Sequence, residues 1–304
     1  MKNLRAELAL VVVTIIWGTT FVVVKSALAE VSTYLFLALR FTLAALVLGV
    51  LYRHSIQRRS FVAGLLAGCL LFGAYVFQTL GLELTTPSKS AFITSLSIPL
   101  VPLLGSIVYR NRPRLFEVVG ILIASFGMAL MTLPPGKFEI SRGDLLTLMC
   151  AITFALHIVV IGHFAPINGF APLAVIQTMV AAGLGVATFW FAEPVRFHFT
   201  PAVAGAVVAT GLLATALAFT AMAWAQQYTS PVRTALIFAL EPVVAWFTSY
   251  LLTGELLTNR AKIGAGLIFG GILLVEARTA GKGERAATQT SEIASLINGE
   301  EHSQ

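Results

Sequence analysis

Apolar residues in this chain run in long blocks instead of alternating with polar ones, and the blocks repeat at nearly constant length. Stretches of about 20 apolar residues, enough to cross a hydrocarbon core of about 30 Å as helix, lie at approximately 6–28, 33–52, 61–83, 87–109, 115–133, 143–164, 171–191, 202–227, 231–252 and 260–277. The connections between them are short. This pattern predicts an all-α integral membrane protein with ten transmembrane helices. After residue 278 the stretch containing GKGERAATQTSEIASLINGEEHSQ reads as a polar, disordered tail. Lys2 and Arg5 followed by an apolar run ending in Ala27-Leu28-Ala29 have the outline of a signal peptide. The run from Leu8 to Val24 is nevertheless long enough for a span, and it has a partner later in the chain.

Composition agrees with a lipid environment, since 57% of the 304 residues are hydrophobic and only 11% charged. The net charge of +6 does not point to nucleic acid, because the basic residues sit in the short connections. With the N-terminus in the cytoplasm, twelve Lys and Arg fall on that side and six on the other, while Lys25 and Arg40 fall within spans. That asymmetry places both termini in the cytoplasm of a multi-pass plasma-membrane protein. Cys69 and Cys150 lie in apolar runs and read as packing residues.

An internal repeat divides the chain. Placing TTPSKSAFITSLSIP (Thr85 to Pro99) over TSPVRTALIFALEP (Thr229 to Pro242) matches Pro87 with Pro231, Lys89 with Arg233, Ser90 with Thr234 and Ala91 with Ala235 at an offset of 144. The same offset pairs Gly120 with Gly264 and Gly127 with Gly271, and Pro99 meets Pro242 after a slip of one residue. At an offset of 137, Trp17-Gly18 falls over Phe154-Ala155 and Arg40 over Gln177. The expected organisation is a first five-helix repeat over 1–134, a second over 135–278 and a cytoplasmic tail over 279–304. Five is odd, so the second repeat enters the membrane inverted, the architecture of secondary transporters.

The segments LELTTPSKSAFITSLSIPLVPLL and VRTALIFALEPVVAWFTSYLLTGELLTNRAKIGAGLIFGGILL resemble the EamA-type permeases of the drug/metabolite transporter superfamily, over about residues 6–277. The resemblance implies a ten-helix basket of two inverted repeats that moves small organic metabolites, often outward. The first half departs from the pattern of the second: Arg110-Asn111 stands where the second half has Gly254-Glu255, and Ser97 where it has Glu241.

Glu241 is the only charge between Ala235 and Leu252, and Pro242 follows it. Ten residues beyond Pro231, it lies about 15 Å into the span, near the midplane. An ionised group there costs at least about 2.5 kcal/mol, so the carboxylate should face a cavity, pair with a cation or carry a proton. Pro242 leaves the carbonyl of Phe238 without its helical partner, which predicts a broken helix beside a binding site. The plainer reading is a static ion pair with Arg40, about 10 Å deep in its own span. Ser90, Thr94 and Ser97 follow at steps of four and three and share a helical face, either for close packing or to line a pocket. His157 lies about 20 Å into its span and needs a polar partner; it is a candidate for proton coupling or for a hydrogen bond to a backbone carbonyl. Tyr75, Gln78, Gln177 and Trp17 are further candidates for substrate binding or coupling. Phe21, Phe72, Phe154, Phe219 and Trp246 are candidate apolar walls. Thr86 and Ser230 read as helix N-caps ahead of Pro87 and Pro231. Lys89 and Arg233 then fall in a first helical turn, where the dipole disfavours a cation. They are expected to snorkel, to attract an anionic substrate, or to pair with a gate carboxylate. Together with Pro99 and Pro242 they form the candidate gate.

The sequence carries no G-x-x-x-x-G-K-[ST], H-E-x-x-H or G-x-S-x-G. Neither an enzyme nor an ATP-driven pump is expected, and no cofactor or metal. Expected partners are a small-molecule substrate, the lipid bilayer and protons, not nucleic acid. Gly64-x-x-x-Gly68 and Gly266-x-x-x-Gly270 leave a homodimer open, since such spacings also pack helices within one chain. The expected function is secondary active export of small organic metabolites, such as amino acids or related compounds, by alternating access with proton coupling. An electroneutral facilitator or exchanger of anionic metabolites is the alternative, and a non-transporting membrane sensor the reading from another class.

Overall fold

The computed structural model describes residues 2–85, 87–110, 114–133, 141–253 and 258–275. Thr86, the Gly254-Glu255 pair and the polar tail lie outside them, as do the side chains of Pro87 and Lys89. Among the described residues the regular secondary structure is helical, apart from one isolated bridge between Val31 and Phe197, and the rest is turns and connections. The helices are α1 (Lys2–Ala27), α2 (Thr33–Tyr52), α3 (Phe61–Leu84), α4 (Pro87–Ser95), α5 (Ser97–Tyr109), α6 (Leu115–Thr132), α7 (Arg142–Asn168), α8 (Phe170–Thr188), α9 (Pro201–Val208), α10 (Ala218–Ala225), α11 (Pro231–Phe238), α12 (Glu241–Thr253) and α13 (259–275). A π-helical stretch, Ala209–Leu217, joins α9 to α10. Among the described residues, eight units are long and apolar enough to cross a membrane, counting α4 with α5, α9 with α10, and α11 with α12 as single units. The remaining two expected segments correspond to the shorter apolar stretch Leu115–Met131 in α6 and to α13.

Two of the spans are broken. The turn at Leu96 separates α4 from α5, and Ala239-Leu240 separates α11 from α12. At both breaks the backbone tightens to three-residue hydrogen bonds: Leu96 N–H to Ile93 O at 3.1 Å, Ala239 N–H to Leu236 O and Leu240 N–H to Ile237 O, each at 3.1 Å. Pro99 and Pro242 sit in the first turn of the helix that restarts, where a missing N–H has no intrahelical partner to lose. Ser97 is the first residue of α5 and Glu241 the first of α12, so the breaks fall on positions that the 144-residue offset equates. Ser230 caps α11, its hydroxyl accepting the Arg233 N–H at 3.3 Å, with Pro231 at the helix start.

Side-chain contacts fix the helix directions. The Lys25 ammonium at the end of α1 donates to the carbonyls of Leu82 and Glu83 at the end of α3, and Thr85 donates to the Asp144 carboxylate at the start of α7 at 2.9 Å. The first and third helices therefore finish where α7 begins. At that same end, the segment between α8 and α9 pairs with the α1–α2 connection. Ser32 N–H donates to Arg196 O and His198 N–H to Glu30 O, both at 2.9 Å, while Glu193 accepts the Tyr34 N–H. Burial pushes the Glu193 carboxyl above its ordinary range despite that hydrogen bond. At the opposite end Gln227 donates to Ala165 O near the end of α7, and Arg233 pairs with Glu7 of α1. Helices α1 and α7 thus run antiparallel.

Small residues let the helices meet closely. A Cβ on Gly68 would fall 2.8 Å from the Gln177 carbonyl and one on Gly64 against Ile176, so this pair packs α3 on α8 within the chain. Gly266 and Gly270 face open space. Gly120 lies against Gly271 and Gly127 against Gly264. The glycines that the offset of 144 equates therefore meet crosswise, Gly120 with the counterpart of Gly127 and Gly127 with the counterpart of Gly120. A Cβ at Gly127 would come within 2.6 Å of the Gly264 carbonyl, so Gly127→Ala is expected to force the helices apart at a cost of about 1–3 kcal/mol. Thermal unfolding of the purified protein checks this: the midpoint falls for Gly127→Ala, while Gly183→Ala, which meets nothing within 4 Å, leaves it unchanged or slightly raised.

Candidate transport site

A cavity of about 800 Å³, open space at its mouth included, lies between the broken helices and the middles of α1, α2, α3, α7 and α10. It extends toward the end of the molecule where α1 and α3 finish, since Val24 and Leu82 line it. Toward the other end the bundle closes on Leu10, Val13, Ile161 and Ala235, all fully buried. Beyond that closure Arg233 pairs with Glu7 at 3.3 Å.

Eight of the residues singled out in the sequence meet here: Trp17, Arg40, Tyr75, Gln78, Thr94, Ser97, His157 and Glu241 all line the cavity. Gln177 stands behind His157, whose Nε2 lies 2.8 Å from its Oε1; with Nε2 protonated, the His157 Nδ1 and the Gln177 amide nitrogen are buried without partners among the described residues. His157 thus bonds a side chain and not a backbone carbonyl. Ser90 is buried on α4 outside the lining, its hydroxyl without a hydrogen-bond partner among the described residues. Pro99 and Pro242 shape the breaks without touching the cavity, and Arg233 sits at the far end with Glu7. Of the aromatic candidates, Phe21, Phe154 and Phe219 are walls, while Phe72 and Trp246 are not.

Arg40 is 2% exposed. Its Nε and Nη2 donate to Thr215 Oγ1 at 3.2 and 2.9 Å, and its guanidinium carbon lies 4.3 Å from the centre of the Tyr75 ring. Burying a guanidinium costs several kcal/mol. Hydrogen bonds to a charge at about 1.5–3 kcal/mol and a desolvated ring contact of about 2 kcal/mol offset that cost without neutralising the charge. Tyr75 is held edge-on by Phe41, Phe154 and Phe219, with ring centres 5.4, 5.3 and 6.0 Å away. Trp17 donates its indole N–H to Ala214 O at 2.9 Å and packs on Phe219 and Phe238.

Glu241, which opens α12, makes no side-chain hydrogen bond or ion pair within the described residues, and Arg40 pairs with no carboxylate there. The static Arg40–Glu241 bridge expected as the plainer reading is therefore not formed. A helix N-terminus favours negative charge, which keeps the carboxylate compatible with its place while leaving its oxygens to the cavity. Opposite charges facing one cavity without meeting can hold a ligand that carries both.

Thr20, Thr79, Ser95 and the apolar residues Ile98, Ile158, Met222 and Phe238 also line the cavity. Thr20 is three residues from Trp17 and Thr79 four from Tyr75, a helical spacing that would have found them. The apolar members carry no such signal in a sequence already apolar.

The sequence profile of the EamA-like transporter family matches residues 4–133 and again 141–277. The chain belongs to that family. This EamA-family chain is 32% identical over 278 residues to an uncharacterized transporter of Archaeoglobus fulgidus, covering 91% of this chain and 88% of that one. It is 28% identical to the uncharacterized transporter YyaM of Bacillus subtilis, covering 90% and 94%. It is 26% identical over 310 residues to a Streptantibioticus cattleyicolor protein named "Probable terminal-alkyne amino-acid exporter", covering 95% and 99%. A solved crystal structure, 22% identical, superposes with a TM-score of 0.74 over 89% of this chain and 96% of that one, which shows a shared fold. The chain is a multi-pass membrane transporter of the EamA type, acting on a small molecule.

Proposed function

We propose that this EamA-family chain is a secondary active transporter that exports small zwitterionic metabolites, amino acids above all, by alternating access with protons as the coupling ion. The observation that carries the proposal is that Glu241 and Arg40 share the wall of one cavity while neither has an ion-pair partner among the described residues. A substrate carboxylate would meet Arg40, its ammonium or a proton would meet Glu241, and the rings of Trp17, Phe154 and Phe219 would receive an apolar side chain. Competition of proton and ammonium for one carboxylate is a coupling device. The name of the Streptantibioticus cattleyicolor relative is in keeping with an amino-acid substrate.

Alternating access rests on two inverted five-helix repeats, over 1–134 and 135–278. The double profile match, the antiparallel course of α1 and α7, the breaks at Ser97 and Glu241 and the crosswise glycine contacts of α6 and α13 all support that division. The Glu7–Arg233 pair would seal the cytoplasmic end in this state and part in the other. Lys89, its repeat counterpart, would act at the outer end.

Counterflow of labelled neutral amino acids in proteoliposomes tests the function. Substrate-dependent exchange, with accumulation driven by an acidic lumen, is the expected result; absence of exchange across the amino acids would overturn it. Membrane orientation has its own check. In a background with Cys69 and Cys150 replaced by Ser, Arg58→Cys should be shielded from an impermeant thiol reagent in whole cells, whereas His198→Cys should be labelled. Both positions are exposed, so labelling of Arg58→Cys from outside would contradict cytoplasmic termini.

A further inference from the structure

The stretch ATGLLATAL, Ala209–Leu217, is π-helical in the middle of an otherwise α-helical span. A π turn is rare and, where it interrupts an α-helix, frequently lies at a functional site. Here its register sets two contacts. Thr215 Oγ1 donates to the Thr210 carbonyl, five residues back, at 2.8 Å. The same oxygen accepts both the Nε–H and an Nη2–H of Arg40. One residue earlier, the Ala214 carbonyl accepts the Trp17 indole N–H. Gly211 brings the segment onto α2: a Cβ there would stand 3.1 Å from the Arg40 carbonyl and 2.9 Å from the Leu43 side chain. Thr215 is fully buried and does not line the cavity, but the guanidinium it holds does.

We infer that Thr215, presented by the π-helical stretch, is a positioning residue that fixes the Arg40 guanidinium for a substrate carboxylate. Its hydroxyl takes the Nε edge of the guanidinium. That leaves the Nη1–Nη2 edge, the fork that matches a carboxylate in two parallel hydrogen bonds. In a regular α-helix a Thr hydroxyl turns to the carbonyl three or four residues back, so Arg40 would face an oxygen in another place. This inference rests on the reading of Arg40 as the anion-binding group of the transport site.

Equilibrium binding to the purified full-length protein tests it, with benzoate as the carboxylate probe and phenethylammonium as the cationic probe. Thr215→Val keeps the volume and removes the hydroxyl; it should weaken benzoate binding about tenfold while leaving phenethylammonium binding unchanged. Thr215→Ser should restore benzoate binding. The unchanged amine binding reports that Thr215→Val is folded. Benzoate binding that Thr215→Val leaves as in the unaltered protein, while Arg40→Gln abolishes it, would overturn the positioning role alone. Equal weakening of both probes by Thr215→Val would overturn it as well, by showing a packing role. Absence of benzoate binding to the unaltered protein, or benzoate binding insensitive to Arg40→Gln, would overturn the anion-site reading and this inference with it.

Discussion

Glu241→Gln is expected to insert and fold normally and to lose pH-gradient-driven accumulation of substrate altogether. Gln keeps the shape of the side chain and fixes it in a neutral state, so a site that must alternate between binding a proton and binding a cationic group stops alternating. The folded protein should become more stable, because an ionised carboxylate inside a membrane span costs at least about 2.5 kcal/mol at its centre and Glu241 has no counter-ion among the described residues. Flux in proteoliposomes under imposed pH gradients, together with the thermal midpoint, measures both effects. Normal flux at every pH would leave the carboxylate without a part in transport. A collapsed midpoint would show that it holds the break between α11 and α12 together.

Arg40→Gln comes second in expected size. The substitution places in the first half the residue that stands at the equivalent position in the second, Gln177. It removes the only charge the structure gives the cavity to oppose an anion among the described lining residues. Losing a charge-assisted pair worth about 3 kcal/mol should raise KM roughly a hundredfold, with a smaller change in maximal rate. Analogues lacking the carboxylate should be moved equally well by both forms. If KM is unchanged while maximal rate falls, Arg40 serves the conformational change and not recognition. Substrate-dependent initial rates of counterflow, measured for an amino acid and for its amine, separate the two.

Much of this was legible in the chain itself. Blocks of about 20 apolar residues mean spans because lipid offers no hydrogen bonds to exposed backbone. The family is carried by the motifs around Pro87, Pro231 and Glu241, and its profile matches both halves. The proximity of Trp17, Arg40, Tyr75, His157 and Glu241 followed from one rule, that polar groups deep in lipid-grade sequence turn inward. The break beside Pro242 within 231–252 was anticipated, whereas the one at Leu96 within 87–109 was not, although each segment is two helices meeting at a tight turn. The prolines were visible, but a proline in a sequence does not distinguish a kink within one helix from the first turn of a new one.

The sequence by itself determined the lipid environment and the apolar blocks suited to it, because both depend on local composition and on the rise of 1.5 Å per residue. Partner choice was decided only by tertiary structure. That Glu7 takes Arg233, that His157 takes Gln177, and that Arg40 takes Thr215 and Tyr75 while Glu241 takes none of them, depends on how helices distant in sequence are rotated against one another. Those rotations are set by close contacts such as Gly68 on Gln177 and Gly127 on Gly264, and by a π turn that shifts the register of Thr215. A change of helix register by one residue turns a side chain through about 100°, and so moves it into or out of the cavity without altering its depth. Distance along a helix is therefore readable from a linear count, and facing is not.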